Sequence, residues 1–167
     1  MAYRNKVFVS FDGDNDISYY RLMTAWNQSD HTSFNFYNAH DVSSARDTST
    51  EETIKASLQA RLRETKTFIL LVGSSTKYLY KFVRWEIEQA LKRELPIICV
   101  NINGTRHLDR DKCPALLRDK LVMHVSFNAK IIEHALDNWP TQYLNLKAQR
   151  ETGPYYYKTE IYNRLGL

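Results

Sequence analysis

Short apolar blocks alternate along this chain with stretches of helical periodicity. Val7-Phe8-Val9-Ser10-Phe11, Phe68-Ile69-Leu70-Leu71-Val72 and Ile97-Ile98-Cys99-Val100 are largely apolar on both faces. Such runs predict central parallel strands covered by helices on each side. Pro96, just ahead of the third block, suits a strand start. Phe34-Asn35-Phe36-Tyr37 alternates and Leu121-Val122-Met123-His124-Val125 is mixed, so both are predicted at sheet edges. Between the blocks, helical spacing links Tyr19, Leu22, Met23 and Trp26, then Ile54, Leu58 and Leu62, then Val83, Ile87, Ala90 and Leu91. Ser49-Thr50-Glu51-Glu52 reads as a capping box, with Ser49 and Glu52 three apart. Strand and helix in alternation predict βαβ units with right-handed crossovers, an α/β three-layer sandwich around a central parallel five-stranded sheet. After Trp139-Pro140 the pattern weakens, and Tyr155-Tyr156-Tyr157 with Ile161, Tyr162 and Leu165 suggests one more helix. The expected division is a core over residues 1–139 and a helical appendage over residues 140–167, packed on the same domain.

Composition narrows the class. At 167 residues the chain suits one domain with a core that needs no disulfide or structural metal. No apolar run reaches membrane-spanning length, and Met1 to Asn5 runs into the first block without a signal-peptide h-region. No membrane association and a cytoplasmic setting are therefore expected. Two cysteines, Cys99 and Cys113, form no disulfide framework, and Cys99 reads as a small buried hydrophobe. A net charge of +4 mildly favours anionic ligands such as dinucleotides, while no Lys/Arg cluster points to nucleic acid.

In an open parallel sheet ligands bind beyond the carboxyl ends of the strands. Three segments leave such ends: Asp12-Gly13-Asp14-Asn15-Asp16, the stretch His40 to Ser49, and Gly73-Ser74-Ser75-Thr76. None is a P-loop, and no G-x-G-x-x-G occurs. The acidic first loop lacks the later Gly and Glu of a calcium hand, and the five histidines lack ligand spacing, so no metal is expected. No G-x-S-x-G elbow or Cys/His pairing invites acyl chemistry. Glu86 is the carboxylate of interest. It falls early in the third periodic stretch, one turn after Phe82 and about 100° from the Val83-Ile87-Leu91 face, so it borders the core without entering it. Phe82 would give it an apolar wall that excludes water or raises its pKa. A glutamate on an amphipathic helix is nonetheless more often surface decoration than machinery. Likewise Ser74 and Ser75 read first as turn or cap residues, His40 and Asp41 as loop solvation, and Arg84 equally as a solvated partner of Glu88 or as a phosphate contact.

Lys6-Val7-Phe8-Val9-Ser10-Phe11 resembles the opening strand of TIR domains. Phe68 to Thr76, followed by Phe82-Val83-Arg84-Trp85-Glu86-Ile87, resembles the bacterial TIR-like branch found in Thoeris anti-phage defence, with good agreement over about residues 5 to 105. The resemblance implies a flavodoxin-like (TIR) fold and cleavage of the nicotinamide–ribose bond of NAD, an NAD+ nucleosidase or ADP-ribosyl cyclase activity. NAD is then a substrate, and no further cofactor is expected. The family's catalytic Glu matches Glu86, while the Trp one turn before it matches Phe82. The lid loop corresponds to about His40 to Ser49. Phe11, Asp12, Asp41, Ser74, Ser75, Phe82, Arg84 and Trp85 are expected to shape the dinucleotide cleft around Glu86. The product implied is a cyclic or otherwise modified ADP-ribose acting as a messenger to a separate effector protein. With no second domain in these residues, messenger synthesis is expected over bulk NAD destruction. A homo-oligomer is a further expected partner.

Two rivals stay open at this stage. One is a non-enzymatic TIR-type interaction module in which Glu86 only supports the fold. The other is a nucleoside deoxyribosyltransferase-like enzyme that uses a Glu nucleophile on a different glycosidic bond.

Overall fold

A computed structural model describes residues 6–28, 36–37 and 50–167. Six parallel strands form one sheet: β1 (Val7–Ser10), β2 (Phe36–Tyr37), β3 (Thr67–Val72), β4 (Ile97–Asn101), β5 (Val122–Ser126) and β6 (Pro154–Tyr156). Their order is β2-β1-β3-β4-β5-β6. The first five follow the doubly wound flavodoxin-like order, so the expected α/β three-layer sandwich is present, with a sixth strand added. The helices are α1 (Ile17–Gln28), α2 (Glu51–Glu64), α3 (Val83–Lys92), α4 (Ala129–Ala148) and α5 (Thr159–Arg164).

Every residue of β1, β3, β4 and β5 is buried. Alternation sorts their side chains into two apolar layers. Val7, Val9, Ile69, Leu71, Val100 and Val125 meet α1, α4 and α5 on one side. Phe8, Phe68, Leu70, Val72 and Cys99 meet α2 and α3 on the other. On that second side Phe8 and Phe68, register partners on β1 and β3, stack with ring centroids 5.5 Å apart. The periodic residues Ile54, Leu58 and Leu62 of α2, and Val83, Ile87 and Ala90 of α3, become buried. On α1 the expected face turns, with Tyr20 and Met23 buried and Leu22 exposed, because α1 packs on the sheet through the Phe11–Tyr20 stack.

Three expectations need correction. The cap of α2 lies at Thr50, whose hydroxyl oxygen accepts from the Thr53 N–H at 3.2 Å, one residue later than the pattern placed it; Ser49 itself lies outside the described residues. A β-hydroxyl immediately before the first helical residue reaches the third N–H of the first turn, and Thr50 holds that position. Second, β5 is no edge: β6 pairs with it, Met123 opposite Tyr155 and His124 opposite Tyr156. Third, Tyr155-Tyr156-Tyr157 does not join a helix. Tyr155 and Tyr156 lie in β6, and α5 starts only at Thr159.

Pro140 sits inside α4 instead of ending it. Its missing N–H removes one rung of the helix. The loss is offset because Leu136, Trp139 and Tyr143, on both sides of the proline, are all buried. Residues 139 and 140 therefore belong to one helix, and that helix is the crossover of a β5–α4–β6 unit. The left-handed Arg150 (φ 59°) and Gly153 (φ 95°) then turn the chain into β6. Tyr162 of α5 is fully buried, and its hydroxyl oxygen accepts from the Ser126 N–H at 3.3 Å.

Candidate active site

The carboxyl end of β1 is where the chemistry-bearing side chains meet. Ser10 closes that strand on the α2/α3 side, in phase with Phe8. Its hydroxyl donates to Oε2 of Glu86, in the first turn of α3. Backbone bonds set this first turn in place: the Arg84 N–H donates to the Leu79 carbonyl at 3.0 Å and the Glu86 N–H to the Phe82 carbonyl at 2.8 Å. Val83 and Ile87 anchor the helix on the sheet, and this draws Glu86 inward until only 5% of it is exposed. The carboxylate is thus buried more deeply than a residue that merely borders the core. A buried carboxylate is costly unless paired, so a position like this one selects for function more strongly than a surface one.

The loop after β1 folds around Asp12, which is 2% exposed. Its carboxylate accepts from the N–H groups of Asp14 (3.0 Å) and Asn15 (3.3 Å) and from the Asn15 side-chain amide (2.7 Å). Phe11 stacks on Tyr20 of α1 with centroids 4.6 Å apart. A cavity of about 410 Å³ opens here, lined by Phe11, Asp12, Gly13, Lys81 and Phe82 among others. Its volume suits a ribose with an attached ring. Phe82 is 8% exposed, and the Lys81 ammonium lies 5.5 Å from its ring centroid.

Other expected cleft residues lie elsewhere. Ser74 and Ser75 line a neighbouring cavity of about 430 Å³ with Asp16, Tyr19, Gly73 and Lys112. Ser75 makes no side-chain cap; the turn is held by Thr76, whose hydroxyl oxygen accepts from the Gly73 N–H at 2.9 Å. Arg84 is half exposed, pairs with Glu88 at 3.1 Å and borders a third cavity of about 600 Å³ beside Tyr80 and Arg118. Trp85 turns toward α2, with the Lys55 ammonium 5.5 Å from its ring centroid. Glu86 itself lines none of these three cavities among the described residues; Phe82, one turn before it, forms part of the wall of the first. Asp41, and the segment His40 to Ser49, lie outside the described residues.

Two groups in this region escaped the reading of the sequence. Ser10 is one; its signal was a lone polar residue at an inward position of an apolar strand. Asp16 is the other. It packs directly on Gly73, where an added Cβ would meet Asp16 Oδ2 at 2.3 Å. Gly73→Ala is therefore expected to destabilise the protein by about 1–3 kcal/mol, because Asp16 Cγ and Oδ1 also lie 2.8 Å from that position and the whole carboxylate must swing aside. Chemical denaturation of the single variant and of Gly73→Ala/Asp16→Ala checks this, with the double variant recovering part of the loss.

Asp16 Oδ2 is buried and has no hydrogen-bond partner among the described residues. Burial first, and the Asp12 charge second, raise its pKa above the ordinary value. A carboxyl raised in this way binds its proton more tightly folded than unfolded. Its ionisation therefore costs stability at neutral pH, and the cost fades as pH falls through the folded pKa. Asp16→Asn is expected to raise the urea midpoint at pH 7, with the gap to the parent closing on acidification. A gap that is constant across pH would exclude this origin.

Away from the rim, Cys99, Cys113 and His124 come together in the interior. Their separation in sequence hid this, since spacing searches find ligands on one helix or turn but not across strands. Burial, followed by the charge of His107, lowers the His124 imidazole to about 4.

None of the described helices is long and apolar enough to cross a membrane. Among curated proteins none matches the chain. The family profile described as Thoeris protein ThsB, TIR-like domain, matches residues 8–107, a span that carries Ser10, the Asp12 loop, β3 and Glu86. With the doubly wound order of its sheet and the inward carboxylate of α3 at the end of β1, this chain belongs to the Thoeris ThsB TIR-like family of anti-phage defence domains.

Proposed function

We propose that this domain cleaves the nicotinamide–ribose bond of NAD and passes the ADP-ribosyl group to water or to an atom of the same nucleotide. The observation that carries the reading is Glu86: a carboxylate 5% exposed, held by the Ser10 hydroxyl, at the rim where the strands end. Nicotinamide in NAD is a cationic leaving group. The C–N bond breaks with its electron pair moving to the pyridine nitrogen, which leaves neutral nicotinamide and an oxocarbenium-like ribose. A carboxylate beside that ribose stabilises the developing positive charge, as carboxylates do in glycoside cleavage. Ser10 holds the Glu86 carboxylate in one orientation, and Phe82 and Phe11 keep water from part of the neighbouring cavity. Capture by water, with loss of a proton, gives ADP-ribose. Capture by an adenine nitrogen gives a cyclic isomer, the product suited to a messenger read by a separate effector protein. Asp12, Asp41, Ser74, Ser75, Arg84 and Trp85 remain candidates for shaping the dinucleotide site once it is occupied, and a homo-oligomer is the form in which such a site would be completed.

The test is nicotinamide release from NAD by the concentrated protein, with and without lysate of phage-infected cells, with deoxynucleosides as parallel substrates. Release by the parent and its loss in Glu86→Gln support the proposal. Free base from deoxynucleosides would favour a deoxyribosyltransferase. Silence under every condition, with robust self-association, would favour an interaction module.

A further inference from the structure

The interior of the α2/α3 side holds three groups that NAD cleavage does not use. Cys99 on β4 and His124 on β5 are register partners on adjacent parallel strands, so their side chains leave the sheet on the same face. Cys113 reaches the same place from the loop joining those strands. One ligand atom from each of the three lies within 4.8 Å of the others. All three residues have no exposed surface.

His124 is the telling member. Neither Nδ1 nor Nε2 has a hydrogen-bond partner among the described residues. An imidazole needs at least one partner when buried, and one left without is costly. A disulfide between the two cysteines would leave both ring nitrogens as they are, whereas a shared ion would satisfy one of them.

The loop is built to present Cys113. Asp109 accepts from the N–H groups of Asp111 and Lys112, both at 3.1 Å, and from the Asn103 side-chain amide at 2.9 Å. The Asp109 carbonyl accepts the Cys113 N–H at 2.9 Å, and the Cys113 carbonyl accepts the Arg118 Nε–H at 3.0 Å. Asn101 clamps the other end of the loop through its side-chain amide to the carbonyls of Thr105 (2.9 Å) and His107 (2.8 Å).

We propose that Cys99, Cys113 and His124 form a buried site for one thiophilic closed-shell metal ion, Zn2+ or Cu+, that ties the β4–β5 loop to the sheet. Zn–S bonds of about 2.3 Å and a Zn–N bond of about 2.0 Å put tetrahedral ligand atoms roughly 3.5 to 3.8 Å apart, inside the 4.8 Å within which the three ligand atoms lie of one another. On binding, two S–H bonds break and their protons go to solvent. Two metal–sulfur bonds and one metal–nitrogen bond form. Two thiolates and a neutral imidazole cancel the charge of Zn2+, which suits a dry interior. Cu+ is content with three ligands, while Zn2+ takes a fourth, for which the Pro114 carbonyl oxygen, 3.5 Å from Cys113 Sγ, is at hand. The same loop supplies Asn103 and Lys112 to the cavity that holds Ser74 and Ser75, so the ion would also stiffen one wall of that cavity.

The experiment uses the full chain, expressed with zinc or copper in the medium and purified without chelator. Elemental analysis is expected to find about one ion per chain, and the metal found tells Zn2+ from Cu+. Cobalt substitution is expected to give a thiolate-to-metal charge-transfer band. Chelation is expected to lower the melting temperature by several degrees, reversibly on adding the metal back. In Cys113→Ser the charge-transfer band should weaken and cobalt affinity fall by roughly tenfold or more. Should that variant fail to fold, the parent's metal content and cobalt spectrum decide alone. A chain that stays metal-free after exposure to both ions, with no cobalt–thiolate band and a melting temperature indifferent to chelator, would overturn the proposal. So would intact mass showing a Cys99–Cys113 disulfide in the purified protein.

Discussion

Glu86→Gln is expected to fold like the parent and to release nicotinamide about two to three orders of magnitude more slowly, the range seen when one preorganised electrostatic contact is removed from a transition state. Glutamine keeps the length and branching of glutamate, and its amide oxygen still accepts the Ser10 hydroxyl. What disappears is the negative charge beside the ribose. Because the group is 5% exposed, solvent does little to screen that charge in the parent or to replace it in the variant. Ser10→Ala is the companion. It leaves the charge but removes one donor to it, so a smaller drop in turnover is expected, with substrate affinity little changed. Steady-state release of nicotinamide, together with circular dichroism of each variant, makes the measurement. Turnover in Glu86→Gln equal to that of the parent would remove this carboxylate from the mechanism.

Trp139→Ala is expected to be the most destabilising single truncation in the carboxyl-terminal third, at about 3–5 kcal/mol, the usual range for an aromatic lost from a packed core. Trp139 is fully buried in the middle of α4, directly before Pro140. Its ring centroid lies 6.1 Å from that of Tyr143 and 5.7 Å from that of Tyr155 on β6. Removing it opens a void beside the one helical rung that Pro140 already weakens, and detaches the helix from the strand it delivers. For a chain of this size such a loss is roughly 6–20 °C in melting temperature. Trp139→Phe separates packing from polarity. The indole Nε1 is buried with no hydrogen-bond partner among the described residues, so phenylalanine sheds an uncompensated donor while retaining most of the ring contact. A much smaller loss, or none, is expected. If the alanine and phenylalanine variants melt together, the packing account is wrong.

The amino-terminal two thirds were legible because their patterns are local. β3 reads as a strand from Phe68 to Val72 because every one of those residues is buried, and burial on both faces leaves a continuous apolar run. The face of α3 was legible because Val83, Ile87 and Ala90 all pack one way. The tail was not. The pattern weakens after Trp139-Pro140, and only the burial of Leu136, Trp139 and Tyr143 keeps the helix going through the proline. β6 is three residues long and half exposed, too short to show a period, and it exists as a strand only because β5 lies beside it. The candidate site divides in the same way. Glu86 was identifiable from its place early in a helix after β3, together with the family resemblance. Ser10 as its partner was not, because the two are 76 residues apart. Arg84, Ser74 and Trp85 sit next to the right elements in sequence, but the direction each side chain takes depends on neighbours that sequence order does not supply: Glu88, the Asp16 cavity and Lys55.

From its own order of residues this chain settled the alternation of strand and helix, the parallel sheet and the core faces of α2 and α3, since these follow from periodicities of two and 3.6 within short windows. On α1 the buried face is Tyr20 and Met23, and Leu22, expected there, is exposed. Folding alone decided that the tail adds a strand, that Ser10 meets Glu86, and that two cysteines and a histidine from β4, its following loop and β5 share one dry spot. The reason is the same in each case: those contacts join residues far apart along the backbone, and their geometry is set by strand register and helix packing, which no local pattern encodes.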